Sequence, residues 1–145
     1  MDRFDALTNI VLSAHRIGRV VAREAGSTTP AAQWRALSEL EESGAMRLTE
    51  LAAACRVTQP GMTRLVAQMA EHGLVAREPD QADARALRIG ITEAGRAARA
   101  AWIRTIRAQL APRFADLTDD EWTALERTAA ILAARTPNIT IGAAR

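Results

Sequence analysis

Lysine is absent from this chain of 145 residues, and all nineteen basic residues are arginine. Tyrosine is absent too, aromatics make up only 3% of the composition, and Cys55 is the single cysteine. One cysteine excludes an intrachain disulfide and a cysteine-built metal cluster. No apolar run approaches the roughly 20 residues of a membrane-spanning helix, so no membrane partner is expected. Met1 to Arg23 mixes charged and apolar residues where a secretion signal would carry an unbroken apolar core, so the expected compartment is the cytoplasm. In that compartment Asn138-Ile139-Thr140, which matches a glycosylation acceptor, has no meaning. With so few aromatics, the core is expected to consist of Ala, Leu, Ile and Val.

What is present is ordinary for a globular chain, with 48% hydrophobic and 25% charged residues. The length suits one domain with a real core. A pI near 9.8 hints at an anionic partner, but the net charge is only +2. Recognition of such a partner must rest on where the arginines sit.

Apolar residues at Phe4, Leu7, Val11, Ala14, Gly18 and Val21 predict a first helix with one buried face, ending near Gly26. Ser27 to Pro30 reads as a loop, with Thr29 as N-cap and Pro30 opening a second helix. That helix carries Trp34, Leu37 and Leu40 on one face and ends at Gly44 in a left-handed cap. Met46-Arg47-Leu48 allows only a minor strand. Thr49 is read as the cap of a short helix, Glu50 to Cys55, with Leu51 and Ala52 inward and Arg56-Val57 as the following turn. Thr58 caps the next helix, whose first turn holds Pro60 and whose buried stripe is Met62, Leu65, Val66 and Met69.

Leu74 to Glu78 and Leu87 to Ile91 read as short strands joined by a polar, turn-prone loop from Pro79 to Ala86. Thr92 caps a long helix holding Ala98, Trp102, Ile106 and Leu110, which Pro112 bends or breaks. Thr118-Asp119-Asp120-Glu121 is a capping box for a last helix burying Trp122, Leu125, Ala129 and Leu132. The tail from Thr136 reads as an extension. The fold class is therefore mainly α with a small β-hairpin wing: a winged helix-turn-helix with N- and C-terminal dimerisation helices. Residues 45–92 form the winged lobe, and 1–28 with 93–145 the dimerisation region of a single domain.

This element order puts one helix into the DNA major groove. Thr58, Gln59, Pro60, Gly61, Thr63 and Arg64 give its start the small and hydrogen-bonding residues that close approach requires. Gln59 can pair with adenine and Arg64 with guanine, while Thr58 and Thr63 can reach phosphates. At the wing tip, Arg85 can enter a minor groove, with Asp83 orienting its guanidinium. Arg77 and Arg88 are lesser phosphate-contact candidates. Each residue alone is equally well a cap or a solvated charge; the combination carries the reading.

Four stretches also resemble the MarR family of transcriptional regulators: Val57 to Leu65, Gly73 to Arg77, Asp83-Ala84-Arg85, and Ile91-Thr92-Glu93-Ala94-Gly95. The family's wing reads Asp-x-Arg, then an apolar strand and Leu-Thr-x-x-Gly, with Ile91 replacing the Leu here. The resemblance covers nearly the whole chain. It implies a homodimer on double-stranded DNA at a pseudo-palindromic operator, commonly a repressor. It also implies a crevice where, in many members, a small aromatic or phenolic ligand weakens DNA binding; His15 and Trp34 are its candidates here.

Dimerisation also follows from the residues, because the apolar stripes of the first and last helices exceed what a small lobe can cover. Residues 94–117 carry a net charge of +4 and residues 118–136 a net of −2. That asymmetry either draws neighbouring helices together or marks two solvated faces. Cys55 reads as a small buried hydrophobe and not a redox sensor. His15 and His72 lie too far apart in sequence, and lack the carboxylates, to predict a metal site. No nucleophile–base pair or phosphate loop is visible, so neither an enzyme nor a cofactor is expected. The competing reading is a winged-helix protein–protein interaction module without sequence-specific DNA binding.

Overall fold

The computed structural model describes residues 2–136. Six helices and three strands follow in the order α1 (Arg3–Glu24), α2 (Ala31–Ser43), β1 (Met46–Arg47), α3 (Leu48–Cys55), α4 (Gln59–Glu71), β2 (Val75–Pro79), β3 (Leu87–Ile91), α5 (Glu93–Leu110) and α6 (Asp119–Arg135). A single 3-10 turn, Ala111–Arg113, follows α5 and holds Pro112. The strands form one antiparallel sheet in the order β1-β3-β2. This is the expected mainly helical chain with a β-hairpin wing. No helix among the described residues is long and apolar enough to cross a membrane.

The described residues divide into two compact units, 2–29 with 102–117, and 30–101 with 118–136. In the second unit, α2, α3, α4 and the sheet close on one core of Ala36, Leu37, Leu40, Leu51, Ala52, Cys55, Leu65, Val66, Val75, Ile89 and three methionines. Met46, Met62 and Met69 correct the expected core composition: unbranched thioethers fill the gaps that aromatics would otherwise occupy. In the first unit, Arg113 from the 3-10 turn is ion-paired with Glu24 at the end of α1.

Several helix ends shift by a residue or two. Thr29 does not cap α2; the cap position is Pro30, which makes no side-chain bond. Nor does Thr49 cap α3, which starts at Leu48 while Glu50 Oε2 accepts the Arg47 N–H at 3.2 Å. Gly44 has φ 81 but ψ −176, an extended glycine conformation outside the left-handed helical region. The Thr118 capping box forms as read.

The apolar stripes of the outer helices are not buried within the chain. Phe4 is 76% exposed, Val11 51%, Trp122 44% and Leu125 44%, and on α1 only Val21 is buried. Ala129 is exposed and Leu132 half-buried. The periodicity set the helices correctly, but these faces stay exposed among the described residues. Residues 137–145, with Asn138-Ile139-Thr140, lie outside the described residues.

Candidate nucleic-acid interface

The start of α4 is shaped by its own sequence. Thr58 keeps an extended backbone, and its Oγ1 accepts the Gly61 N–H at 3.2 Å. Pro60 sits in the first turn, where it has no intrahelical amide to lose. Gly61 is set by space, because a Cβ there would lie 3.0 Å from Thr58 Oγ1 and 3.1 Å from Val57 Cγ1. With Met62, Leu65, Val66 and Met69 turned into the core, Thr58, Gln59, Pro60, Thr63 and Arg64 are left exposed. Thr63 Oγ1 donates to the Gln59 carbonyl at 2.9 Å, which commits its hydrogen to the helix and leaves only lone pairs outward.

The turn into α4 closes without glycine. Arg56 has φ 54 and ψ 47, the one left-handed non-glycine among the described residues. There the Arg56 N–H donates to Ala53 O and the Val57 N–H to Ala52 O, completing the end of α3.

The wing is a tight hairpin. Val75 pairs with Ile91, Arg77 with Ile89 and Pro79 with Leu87 across β2 and β3. At its base the Thr92 N–H donates to Leu74 O at 3.1 Å, and Thr92 Oγ1 donates to Gly73 O at 2.5 Å while accepting the Gly95 N–H at 3.0 Å. One threonine thus ends β3, caps α5 and closes the hairpin. This is the physical content of the Thr92-to-Gly95 motif.

At the tip, Asp83 acts differently from expectation. Its Oδ1 accepts the Arg85 backbone N–H at 3.0 Å, so it shapes the loop and does not hold the guanidinium. Arg64, Arg77, Asp83 and Arg85 are exposed, and none takes part in an ion pair among the described residues. Three arginines on one lobe are therefore available to an outside anion. Arg88 is not, since it is half-buried and its Nη2 donates to Ala45 O.

The residue that sequence reading missed is Asp80. It is 8% exposed, and its Oδ2 accepts Arg47 Nε at 2.8 Å while its Oδ1 accepts the Ala82 N–H at 2.8 Å. The Arg47 bond, then the Ala82 amide, hold its carboxyl below the usual carboxylate range. A partner thirty-three residues away leaves no local signal. The charge asymmetry of α5 also has another use: Arg96 pairs with Glu41 and Glu93, and Arg99 bonds Ser38 and Glu42, so both are tied to α2 or to α5 itself.

The remaining candidates lie apart from this surface chemistry. His15 is exposed on α1, and Trp34 is half-buried against the core on α2. His72 Nδ1 lies 2.9 Å from Gln68 O at the end of α4. Cys55 is buried, which pushes its thiol up to about 11. No group of acids, histidines and cysteine able to hold a metal occurs among the described residues.

Comparison with known proteins agrees with this geometry. Residues 27–86 match the model of the MarR family. An uncharacterised HTH-type transcriptional regulator of Mycobacterium bovis is 32% identical over 128 residues, covering 88% of this chain and 90% of that protein. A MarR family protein of Bacillus stearothermophilus superposes with a TM-score of 0.68 at 26% identity, covering 91% of each chain. BpsR of Bordetella bronchiseptica, 19% identical with a TM-score of 0.59, covers 92% of this chain with 96% of its own and shares the fold. These relatives are regulators and not enzymes. The chain belongs to the MarR family of winged helix-turn-helix transcriptional regulators.

Proposed function

We propose that the protein is a homodimeric, sequence-specific DNA-binding repressor released by a small-molecule ligand. The observation that carries the DNA reading is the set of exposed, unpaired cations on one lobe, Arg64 on α4 and Arg77 and Arg85 on the wing. Thr58, Gln59, Pro60, Gly61 and Thr63 bring the α4 backbone close to the groove, and Asp83 shapes the loop that presents Arg85. Two recognition helices related by a dyad, about 34–36 Å apart, read successive turns on one face of the duplex. The uncovered apolar faces of α1 and α6 support that dimer. BpsR, whose DNA binding is regulated by 6-hydroxynicotinic acid, supports a small hydroxylated aromatic acid as the ligand class.

Selection of bound sequences from random DNA at near-physiological salt tests the reading. An inverted repeat with half-sites one helical turn apart is the expected product. No motif, together with no salt-sensitive retention, leaves the protein–protein module as the better reading. On the selected site, Arg64→Ala is expected to cost about 1–3 kcal/mol and to relax preference at one base position. An equal loss on random DNA assigns Arg64 to a phosphate. For the ligand, quenching of Trp34 fluorescence by hydroxylated aromatic acids, absent in Trp34→Phe, is the expected signature.

A further inference from the structure

Asp80 is the one buried charged residue among the described residues, and it sits at the root of the wing loop. Besides its two side-chain contacts, its N–H donates to Ala86 O at 3.0 Å. Three residues on, Asp83 repeats the device: its Oδ1 takes the Arg85 N–H, and its carbonyl takes the Ala86 N–H at 3.0 Å. Residues 80–86 therefore form a loop closed on its own main chain. The Arg85 guanidinium is left projecting from it without an ion-pair partner.

The loop is fastened to the rest of the lobe through Arg47. That residue pairs with Arg88 across β1 and β3, an apposition of like charges that the Asp80 carboxylate offsets. Arg47 also immediately precedes Leu48, the first residue of α3, so the wing is pinned to the strand that leads into the helix-turn-helix. β1 is two residues long and has little ladder of its own to hold that position.

We propose that Asp80 is a positioning residue for DNA recognition: through Arg47 it fixes the wing loop and thereby sets where Arg85 meets DNA relative to α4. The inference rests on the reading above that Arg85 touches DNA. A carboxylate is the group suited to this place, because only an anion bonds Arg47 Nε and the Ala82 amide together while offsetting the Arg47–Arg88 repulsion.

A double-mutant cycle on the selected operator, with full-length protein, tests it. Arg85→Ala is expected to weaken binding about tenfold and to abolish preference for A·T-rich flanks. Asp80→Asn, which nearly keeps the side-chain volume, is expected to do the same in both respects, and the double variant to bind no worse than Arg85→Ala alone. Arg47→Gln, which leaves Asp80 and its Ala82 contact in place, is the second probe should Asp80→Asn melt early. Flank preference retained in a folded Asp80→Asn or Arg47→Gln protein, or losses that multiply in the double variant, overturn the proposal. An Arg85→Ala protein that binds as wild type overturns it differently, by removing the DNA role of Arg85 itself.

Discussion

A single carbonyl oxygen decides what residue 95 can be. A Cβ at Gly95 would stand 2.1 Å from Leu74 O and 2.8 Å from Ile91 Cγ1, and backbone cannot swing aside as a side-chain tip can. Replacing a helical glycine by alanine ordinarily gains up to about 1 kcal/mol. Here overpacking costs about 1–3 kcal/mol and displaces the Thr92 contacts as well, so the clash wins. Gly95→Ala is expected to lower the urea midpoint, and an unchanged midpoint would show that α5 can slide. Cys55 gives a second expectation at this scale. With its thiol pushed up to about 11 by burial, almost none is thiolate at neutral pH. Iodoacetamide should therefore label the native protein no faster than global unfolding allows, and rapid labelling of folded protein would contradict the burial.

At the scale of elements, the wing carries a pH signature. Asp80 has its carboxyl lowered in the folded chain, first by Arg47 and then by the Ala82 amide. The unfolded chain then binds the proton more readily, so the contribution is complete at neutral pH and is lost as pH falls through and below the ordinary carboxylate range. Asp80→Asn should flatten that part of the stability profile, measured by urea midpoints, and parallel acid limbs would remove the pair from the account. Elements governed by neighbours were legible in the sequence. The Thr118 capping box, the Thr58 cap and the α4 stripe each depend on residues three or four apart, and all three stand where periodicity put them. The start of α3 was not, because Glu50 caps the Arg47 amide and makes Thr49 unnecessary. Asp80 was invisible for the opposite reason: its partner lies on another strand. Asp83 was assigned to the right residue, Arg85, but through the wrong atoms, since spacing cannot separate an amide from a guanidinium.

At the scale of the molecule, the outer helices illustrate a different boundary. Their apolar period was plain, yet Phe4, Leu7, Val11, Trp122, Leu125 and Ile131 remain exposed in the chain. Period reports that a face is to be covered and not by what. If a second copy covers them, Leu125→Asp should sediment as a monomer, lose inverted-repeat binding and melt independently of concentration. A dimer that survives the substitution would move the interface away from α6.

The wing has one closed end. Its base is locked where the Thr92 amide meets Leu74 O and the Thr92 hydroxyl meets Gly73 O, whereas its far end hangs on the Arg47–Asp80 pair. Amide exchange should accordingly be graded along the hairpin, slowest at Thr92 and fastest through residues 81–85, with the wing fraying from its tip inward. It then behaves as a lever with a fixed fulcrum. Whatever breaks the Arg47–Asp80 pair swings the tip through the widest arc while the Thr92 contacts hold the base.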